Sequence, residues 1–355
     1  MKIGILTHHY INNFGAFLQT YALQQAVRKM YPNDDIFVIN QINLKHFVIN
    51  TGGWFRVYRD RETLESWSDK IKLPVTFYKA RHKYLNLSEL TLTEEDVNKL
   101  CFDCIIVGSD EVWNYCENKG NAKIKFGIGL ECRKLVAYAP SVGKTDSSTG
   151  IPDYVESGLK RFSAISARDS LTAELVQRAT GKNPPVVLDP TFLSRFPVLK
   201  KPVHKKPYIL FYYCEHLPEK TMKKILAYAE KNNLDVLGAG ECNKLYSRIT
   251  VNLTPFEWVD LFRNAEYVFT GTFHGAVFSI LNRKQFACHL TNPSRIKKVT
   301  DLLDGLGIPD RTVDGGLDIM NETIDYEKVY KCINRKRRQS MKFLSDSIGS
   351  GNNGI

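Results

Sequence analysis

Short apolar runs that end in a polar turn and continue as an amphipathic helix recur along this chain. Lys2 to Thr7 leads into Asn12-Asn13-Phe14-Gly15-Ala16 and then a helix from Gly15 to Met30. Leu18, Tyr21, Ala22, Ala26 and Met30 fall near one face of it. Tyr267-Val268-Phe269 breaks at Gly271, and helical spacing restarts at Gly275 with Ala276, Val277, Ile280 and Leu281. Repeated strand–turn–helix units predict parallel sheets covered by helices, because a parallel return needs a crossover long enough to hold a helix.

The pattern occurs in two blocks. The first holds predicted strands at Lys2–Thr7, Asp35–Gln41, Ile105–Val107, Lys134–Tyr138, Ala164–Ala167 and Pro185–Leu188. Its predicted helices are Gly15–Met30, Pro152–Phe162 and Leu171–Ala179. Pro197 to Pro207, where proline and lysine displace apolar residues, reads as a linker. The second block has strands at Tyr208–Tyr213, Leu234–Leu237, Glu266–Thr270 and Gln285–Leu290. Its helices are Glu219–Asn232, one opened by the capping box Thr254-Pro255-Phe256-Glu257, the one after Gly271, and Pro293–Leu306.

The fold class expected is therefore α/β, with two doubly wound Rossmann-like lobes facing a cleft and ligands at the carboxyl ends of their strands. The first lobe spans 1–198 and the second 207–325. A basic terminal helix follows at 326–348, and the tail 349–355 should fray. Residues of about 43–90 break the alternation. Trp54, Phe55, Tyr58, Trp67, Phe77, Tyr78 and Tyr84 interleave there with Arg56, Arg59, Arg61, Lys72, Lys79, Arg81 and Lys83, which reads as a mostly helical insertion in the first lobe.

A length of 355 residues exceeds what one core usually organises, and 43% hydrophobic residues can fill two. No run approaches the eighteen or so apolar residues a membrane span needs, and MKIGILTHHY turns polar too soon for a secretory signal, so a cytoplasmic protein is expected. Cys101 and Cys104 form the one C-x-x-C among eight cysteines; with no second pair, buried free thiols are expected and no metal. The net charge of +11 suits a protein that handles anions or approaches an acidic membrane. No RNP-like, zinc-finger or helix-turn-helix pattern accompanies it, so nucleic acid is not an expected partner. Walker, G-x-G-x-x-G, H-E-x-x-H and G-x-S-x-G patterns are also missing.

Candidate chemistry gathers at strand ends. Gly271-Thr272-Phe273-His274-Gly275 joins a strand to a helix N-terminus, where free N–H groups and the helix dipole favour a phosphate or carboxylate. Thr272 can cap, and Gly275 admits close approach to the backbone. The competing reading is a histidine that only caps the fold. Asn13 and Gly15 occupy the equivalent turn in the first lobe. Ser109-Asp110-Glu111 and Arg168-Asp169 are further strand-end groups; a helix cap and a solvated pair are their bland alternatives.

Together "NNFGAFLQTYAL", "VGSDEVWN", "RKLVAYAPSVG", "ISARDS", "TGKNPPVVLDPTFL", "TGTFHGAVFSILN" and "NPSRIKKVTDLLDGLGI", in this order, resemble the polysaccharide pyruvyl transferase family from about residue 3 to 307. The resemblance implies a glycosyltransferase-B-like fold. It also implies transfer of a pyruvyl group from phosphoenolpyruvate to a sugar of a cell-surface glycan or its lipid-linked precursor, usually as a ketal. Phosphoenolpyruvate is then a donor substrate, with no cofactor. The family pattern has an acidic or small polar residue and then Ser or Arg where this chain has Gly271-Thr272.

Phosphoenolpyruvate carries a carboxylate and a phosphate, so its site needs cations and helix N-termini, with Arg suited to bidentate contact. Arg168, Arg295, Asn13, Gly15, Thr272, Gly275 and Ser294 form the expected donor-binding set. His274 and Asp110 are the expected catalytic residues, Asp110 being preferred over the turn residue Asp189. The expected partners are phosphoenolpyruvate and an oligosaccharide or lipid-linked glycan acceptor; the 43–90 insertion reads either as a contact with the inner membrane face or as a helical insert with a solvated basic face. Two other functions compete: a nucleotide-sugar glycosyltransferase of the same architecture, and a non-catalytic glycan-binding or assembly protein.

Overall fold

The computed structural model describes residues 1–57, 62–117, 121–214, 217–311 and 322–349, without the side chains of 293 and 294. The chain divides into two compact units. One comprises Met1–Thr51, Lys79–Arg195 and Ile333–Ile355; the other comprises Gly52–Tyr78 and Phe196–Cys332.

The first unit is built on six parallel strands: β1 (Lys2–Leu6), β2 (Asp35–Gln41), β3 (Leu87–Thr91), β4 (Cys104–Val107), β5 (Lys134–Ala137) and β6 (Ala164–Ile165), ordered β3-β2-β1-β4-β5-β6. Both faces are apolar, as a sheet covered on two sides requires. Ile3, Ile5, Ile106 and Val136 share a core with Leu23 and Val27 of helix Phe14–Met30 and with Leu344 and Ile348 of the last helix. Leu6, Val107, Leu135 and Ala137 point the other way, onto Trp113, Phe126, Val155 and Leu175. The order reverses between β1 and β4, which places a crevice at their carboxyl ends.

The second unit carries four parallel strands: β7 (Tyr208–Tyr212), β8 (Asp235–Gly238), β9 (Tyr267–Thr270) and β10 (Gln285–Cys288), ordered β10-β9-β7-β8. Phe211 and Phe269 stack at 5.3 Å over Ile225 and Ala229. Trp258, Phe262, Phe278 and Tyr212 interlock through ring contacts of 4.4 to 6.2 Å. Here the order reverses between β7 and β9. The capping box is present: Thr254 accepts from the Glu257 N–H at 3.3 Å and Glu257 accepts from the Thr254 N–H at 2.7 Å.

Several expectations are corrected. Residues 43–90 are not one insertion of the first lobe. They form helices Leu44–Gly53, Leu64–Lys70 and Leu73–Tyr84 and most of edge strand β3, and Gly52–Tyr78 belongs to the second unit. Thr76 donates to Asn252 at 2.7 Å there, and Cys242 Sγ lies 3.3 Å from Ser66 Oγ. Tyr58, Arg59 and Arg61 lie outside the described residues. Pro185–Leu188 makes only a bridge, Val186 to Ala167, because Pro184 and Pro185 bring no N–H to a ladder. The terminal helix runs from Tyr326 to Gly349, and its end is core of the first unit rather than a separate element. Arg337 Nε reaches Phe192 O at 2.6 Å, and the Leu188 N–H reaches Ser340 Oγ at 3.0 Å. Residues 350–355 of the expected frayed tail lie outside the described residues. All eight cysteines are free thiols, but only Cys104 and Cys288 are buried, and Cys101 and Cys116 are exposed.

Candidate active site

The turn after β9 is organised by two threonines. Thr272 is the N-cap of helix Phe273–Leu281, and its Oγ1 accepts from the Gly275 N–H at 3.0 Å. Thr270 Oγ1 donates to Tyr212 O at 3.0 Å and accepts from the Thr272 N–H at 3.2 Å. The capped turn is thereby tied to the neighbouring strand β7. Side chains are excluded at two positions by space rather than by φ. A Cβ on Gly275 would stand 2.7 Å from Thr270 Cβ and closer still to its oxygen, and one on Gly271 would meet Tyr213 O and His289 O.

His274 is half-buried, its ring 5.3 Å from that of Phe273 in an edge-on contact. Arg295, from helix Pro293–Leu306, reaches the same turn: its Nη1 lies 3.5 Å from Gly271 O, and its guanidinium stands 5.8 Å from the Tyr213 ring centre. Tyr213 sits in the left-handed region at φ +45°. Its N–H donates to Glu241 at 2.7 Å, and Tyr246 O–H donates to the other oxygen of that carboxylate at 2.8 Å. Sequence reasoning missed Tyr213 and Glu241; the available signal was that Tyr213 directly follows β7 and Glu241 lies three residues past the end of β8. The side chain of Ser294 lies outside the described residues.

At the first sheet, Asn13 caps helix Phe14–Met30, accepting from the Ala16 N–H at 3.1 Å, and Gly15 is buried in its first turn. Asp110 follows β4 in the left-handed region at φ +83°, and its carboxylate accepts from the Glu111 N–H at 2.8 Å. Its own carbonyl accepts from the Ser141 N–H at 2.7 Å, so the loop is pinned without a helix for Ser109 or Asp110 to cap. Ser109 instead donates to Ala139 O at 2.7 Å.

Arg168 and Asp169 are not a solvated pair. Arg168 is buried, with Nη1 3.2 Å from Asp189 and 3.5 Å from Gln19 Oε1. Burial would lower its pKa, but the carboxylates of Asp189, Asp110, Asp169 and Glu111 outweigh that and raise it. Asp169 caps helix Ser170–Thr180 and accepts from Ser141 at 2.6 Å. Asp189 accepts from the Thr191 N–H at 3.0 Å, the turn that Asp189-Pro190 suggested. The first unit therefore brings Arg168 and Asp110 into one electrostatic cluster, and the second unit brings His274, Thr272, Gly275 and Arg295 together. Among the described residues no group of three or more His, Cys, Asp or Glu could hold a metal ion.

The polysaccharide pyruvyl transferase family profile matches residues 13–292. The chain belongs to that family. It is a polysaccharide-modifying transferase. Its two α/β units have the Rossmann-like build of the glycosyltransferase-B class. The structure of S. aureus MnaA with UDP is similar, at 12% identity, over 98% of this chain and 97% of that one, with a TM-score of 0.51. A candidate UDP-N-acetylglucosamine 2-epimerase from Listeria monocytogenes is similar at 10% identity over 100% and 98%, with a TM-score of 0.50. The glycosyltransferase SnogD from Streptomyces nogalater is similar at 12% over 96% and 95%, with a TM-score of 0.44. No curated protein sequence matches. Among the described residues no helix is long and apolar enough to cross a membrane.

Proposed function

We propose that this pyruvyl transferase uses phosphoenolpyruvate as donor and forms a ketal on a sugar of a cell-surface polysaccharide or its lipid-linked precursor. The observation that carries the reading is the Thr272-capped helix start, where backbone N–H groups, His274 and the Arg295 guanidinium converge on one turn. An oxyanion is the natural complement of that arrangement.

In the proposed reaction the methylene carbon of the donor is protonated and becomes a methyl group. Two sugar oxygens bond to the central carbon as its bond to the phosphate oxygen breaks. Of the two hydroxyl protons released, one balances the proton taken up by carbon and the other leaves on phosphate. His274 donates to the departing phosphate and Arg295 holds an anionic group of the donor. Asp110, at the carboxyl end of β4, is the catalytic carboxylate proposed for the first unit. Arg168, whose charge is already met by Asp189, orders the loop around Asp110 rather than gripping the donor.

Incubation with phosphoenolpyruvate and candidate lipid-linked oligosaccharides should release phosphate and add a pyruvyl increment by mass spectrometry. Thermal stabilisation by a nucleotide sugar but not by phosphoenolpyruvate would contradict the reading.

The reaction is proposed to take place in the cytoplasm at the inner membrane face. Exposed large apolar side chains concentrate at Leu44, Val48, Ile49, Phe55, Val57, Leu64 and Val75, with Lys45, Arg56 and Lys72 among them in sequence. Such mixtures of apolar and basic groups favour anionic lipid surfaces. Co-sedimentation with vesicles that ignores their anionic lipid content would remove this part.

A further inference from the structure

The carboxyl end of β1 holds two buried basic side chains that no carboxylate meets among the described residues. Lys125 comes from the short 3-10 turn Lys123–Phe126; it is 0% exposed, and its Nζ donates to Thr7 O at 2.8 Å. Arg81, near the end of helix Leu73–Tyr84, is 6% exposed and donates to Asn12 Oδ1 at 3.1 Å. Neither forms an ion pair among the described residues, whereas the equally buried Arg168 has Asp189 at 3.2 Å. Burial alone acts on them, lowering Arg81 to about 10 and Lys125 to about 7. Buried charges in folded proteins are ordinarily paired or hold a ligand.

Between them runs Thr7-His8-His9-Tyr10. His9 Nε2 is 3.1 Å from Asn40 Oδ1, and both Lys125 and Arg81 act on His9 electrostatically. His8 is 6% exposed, and its Nε2 has no hydrogen-bond partner among the described residues. Its ring lies 5.2 Å from that of His46, and Glu111 opposes the cations acting on it. Asn12, which receives Arg81, gives its own N–H to Asn50 Oδ1 at 2.8 Å, directly before the Asn13-capped helix. A polar cluster of net positive character thus sits at the β1/β4 reversal of the first sheet, where doubly wound sheets bind ligands.

We propose that this end of β1 is a second anion site, which binds a phosphate or diphosphate group through Arg81 and His8 with Lys125 as the buried charge beneath. It rests on the function proposed above only for the source of the anion: the donor's anionic groups are taken up at the His274 turn, which leaves the phosphates of a lipid-linked acceptor for β1. The anion chemistry itself follows from the cluster alone.

The experiment is calorimetry on the full chain with inorganic phosphate, inorganic pyrophosphate and phosphoenolpyruvate, for the wild type, Arg81→Gln, Lys125→Met and His274→Ala. Pyrophosphate is expected to bind the wild type and His274→Ala alike and to weaken at least tenfold in Arg81→Gln. Phosphoenolpyruvate should lose affinity in His274→Ala and keep it in Arg81→Gln. Lys125→Met removes a core side chain, so the wild type supplies an independent reading in buffers of different ionisation enthalpy. Binding of inorganic phosphate, already a dianion at pH 8, should take up protons, because an anion recharges the Lys125 amine. Failure of phosphate and pyrophosphate to bind the wild type at millimolar concentration overturns the proposal, as does binding that Arg81→Gln leaves unchanged or phosphate binding that takes up no proton. The donor reading survives any of these results; it fails separately if phosphoenolpyruvate binds His274→Ala as it binds the wild type.

Discussion

Thr270 Oγ1 occupies the space that a β-carbon on Gly275 would need. The same oxygen holds the Thr272 N–H and bonds to Tyr212 O. Gly275→Ala should therefore dislodge the threonine and the turn with it, not merely narrow the site. Overpacking of this kind costs about 1–3 kcal/mol, and transferase activity should fall with it. Thr270→Ala in the same chain should restore part of the stability, since the methyl–oxygen clash goes while the Cβ contact stays. Urea unfolding of both variants measures this; an additive loss in the double variant would show that the contact is not the cause.

His274 and Thr272 should separate chemistry from folding. Thr272→Ala removes the N-cap bond to Gly275 and should cost about 1 kcal/mol of stability. His274 is half-buried beside that cap. His274→Ala should leave the melting temperature within a few degrees of the wild type and lower turnover roughly a hundredfold, the scale of one acid–base or oxyanion group. Near-full turnover, or a protein that no longer folds, would make His274 a structural residue.

The Arg168–Asp189 pair should behave as a fold element. Its side chains are 3% and 0% exposed. Removing one partner strands the other charge in the interior, typically about 3–5 kcal/mol, so Arg168→Ala and Asp189→Ala should each unfold at much lower urea. The loss should be accompanied by a fall in kcat through the Asp110 loop rather than a selective rise in KM for the donor. Wild-type stability in Arg168→Ala with a raised donor KM would restore Arg168 as a donor ligand.

The alternation of strands and helices was legible because both sheets are covered on two faces and their strands are short apolar runs, such as Cys104–Val107 with every residue buried. Edge strand β3 escaped notice because Leu87–Thr91 buries only Thr91 and carries no apolar stripe. The His274 turn was visible through its glycines and threonine, which act within six residues of one another. The Arg168–Asp189 and Lys125–Thr7 contacts join residues 21 and 118 positions apart, and no local pattern encodes such pairings. Glu241 was hidden for the same reason: its role depends on Tyr213, 28 positions away.

The buried bases at β1 predict an unusual dependence of stability on pH. His9 is lowered from 6.5 to about 3, chiefly by burial, and His8 lies well below 6.5 for the same reason. Below pH 6.5 the unfolded chain binds protons that the folded chain does not, so stability is lost as pH falls from about 6.5. The slope is up to about 1.4 kcal/mol per pH unit for each histidine and begins above the range where carboxylates titrate. Lys125, lowered from 10.5 to about 7, acts over a different window. Between pH 7 and 10.5 the unfolded chain again holds the extra proton, so stability should rise with pH there, by up to several kcal/mol on the same slope. Urea midpoints from pH 4 to 10 in buffer free of phosphate test both limbs. His9→Gln should flatten the acid limb and Lys125→Met the alkaline one. A wild type whose midpoint is level from pH 7 to 10 would mean that the Lys125 amine is not held in a desolvated state.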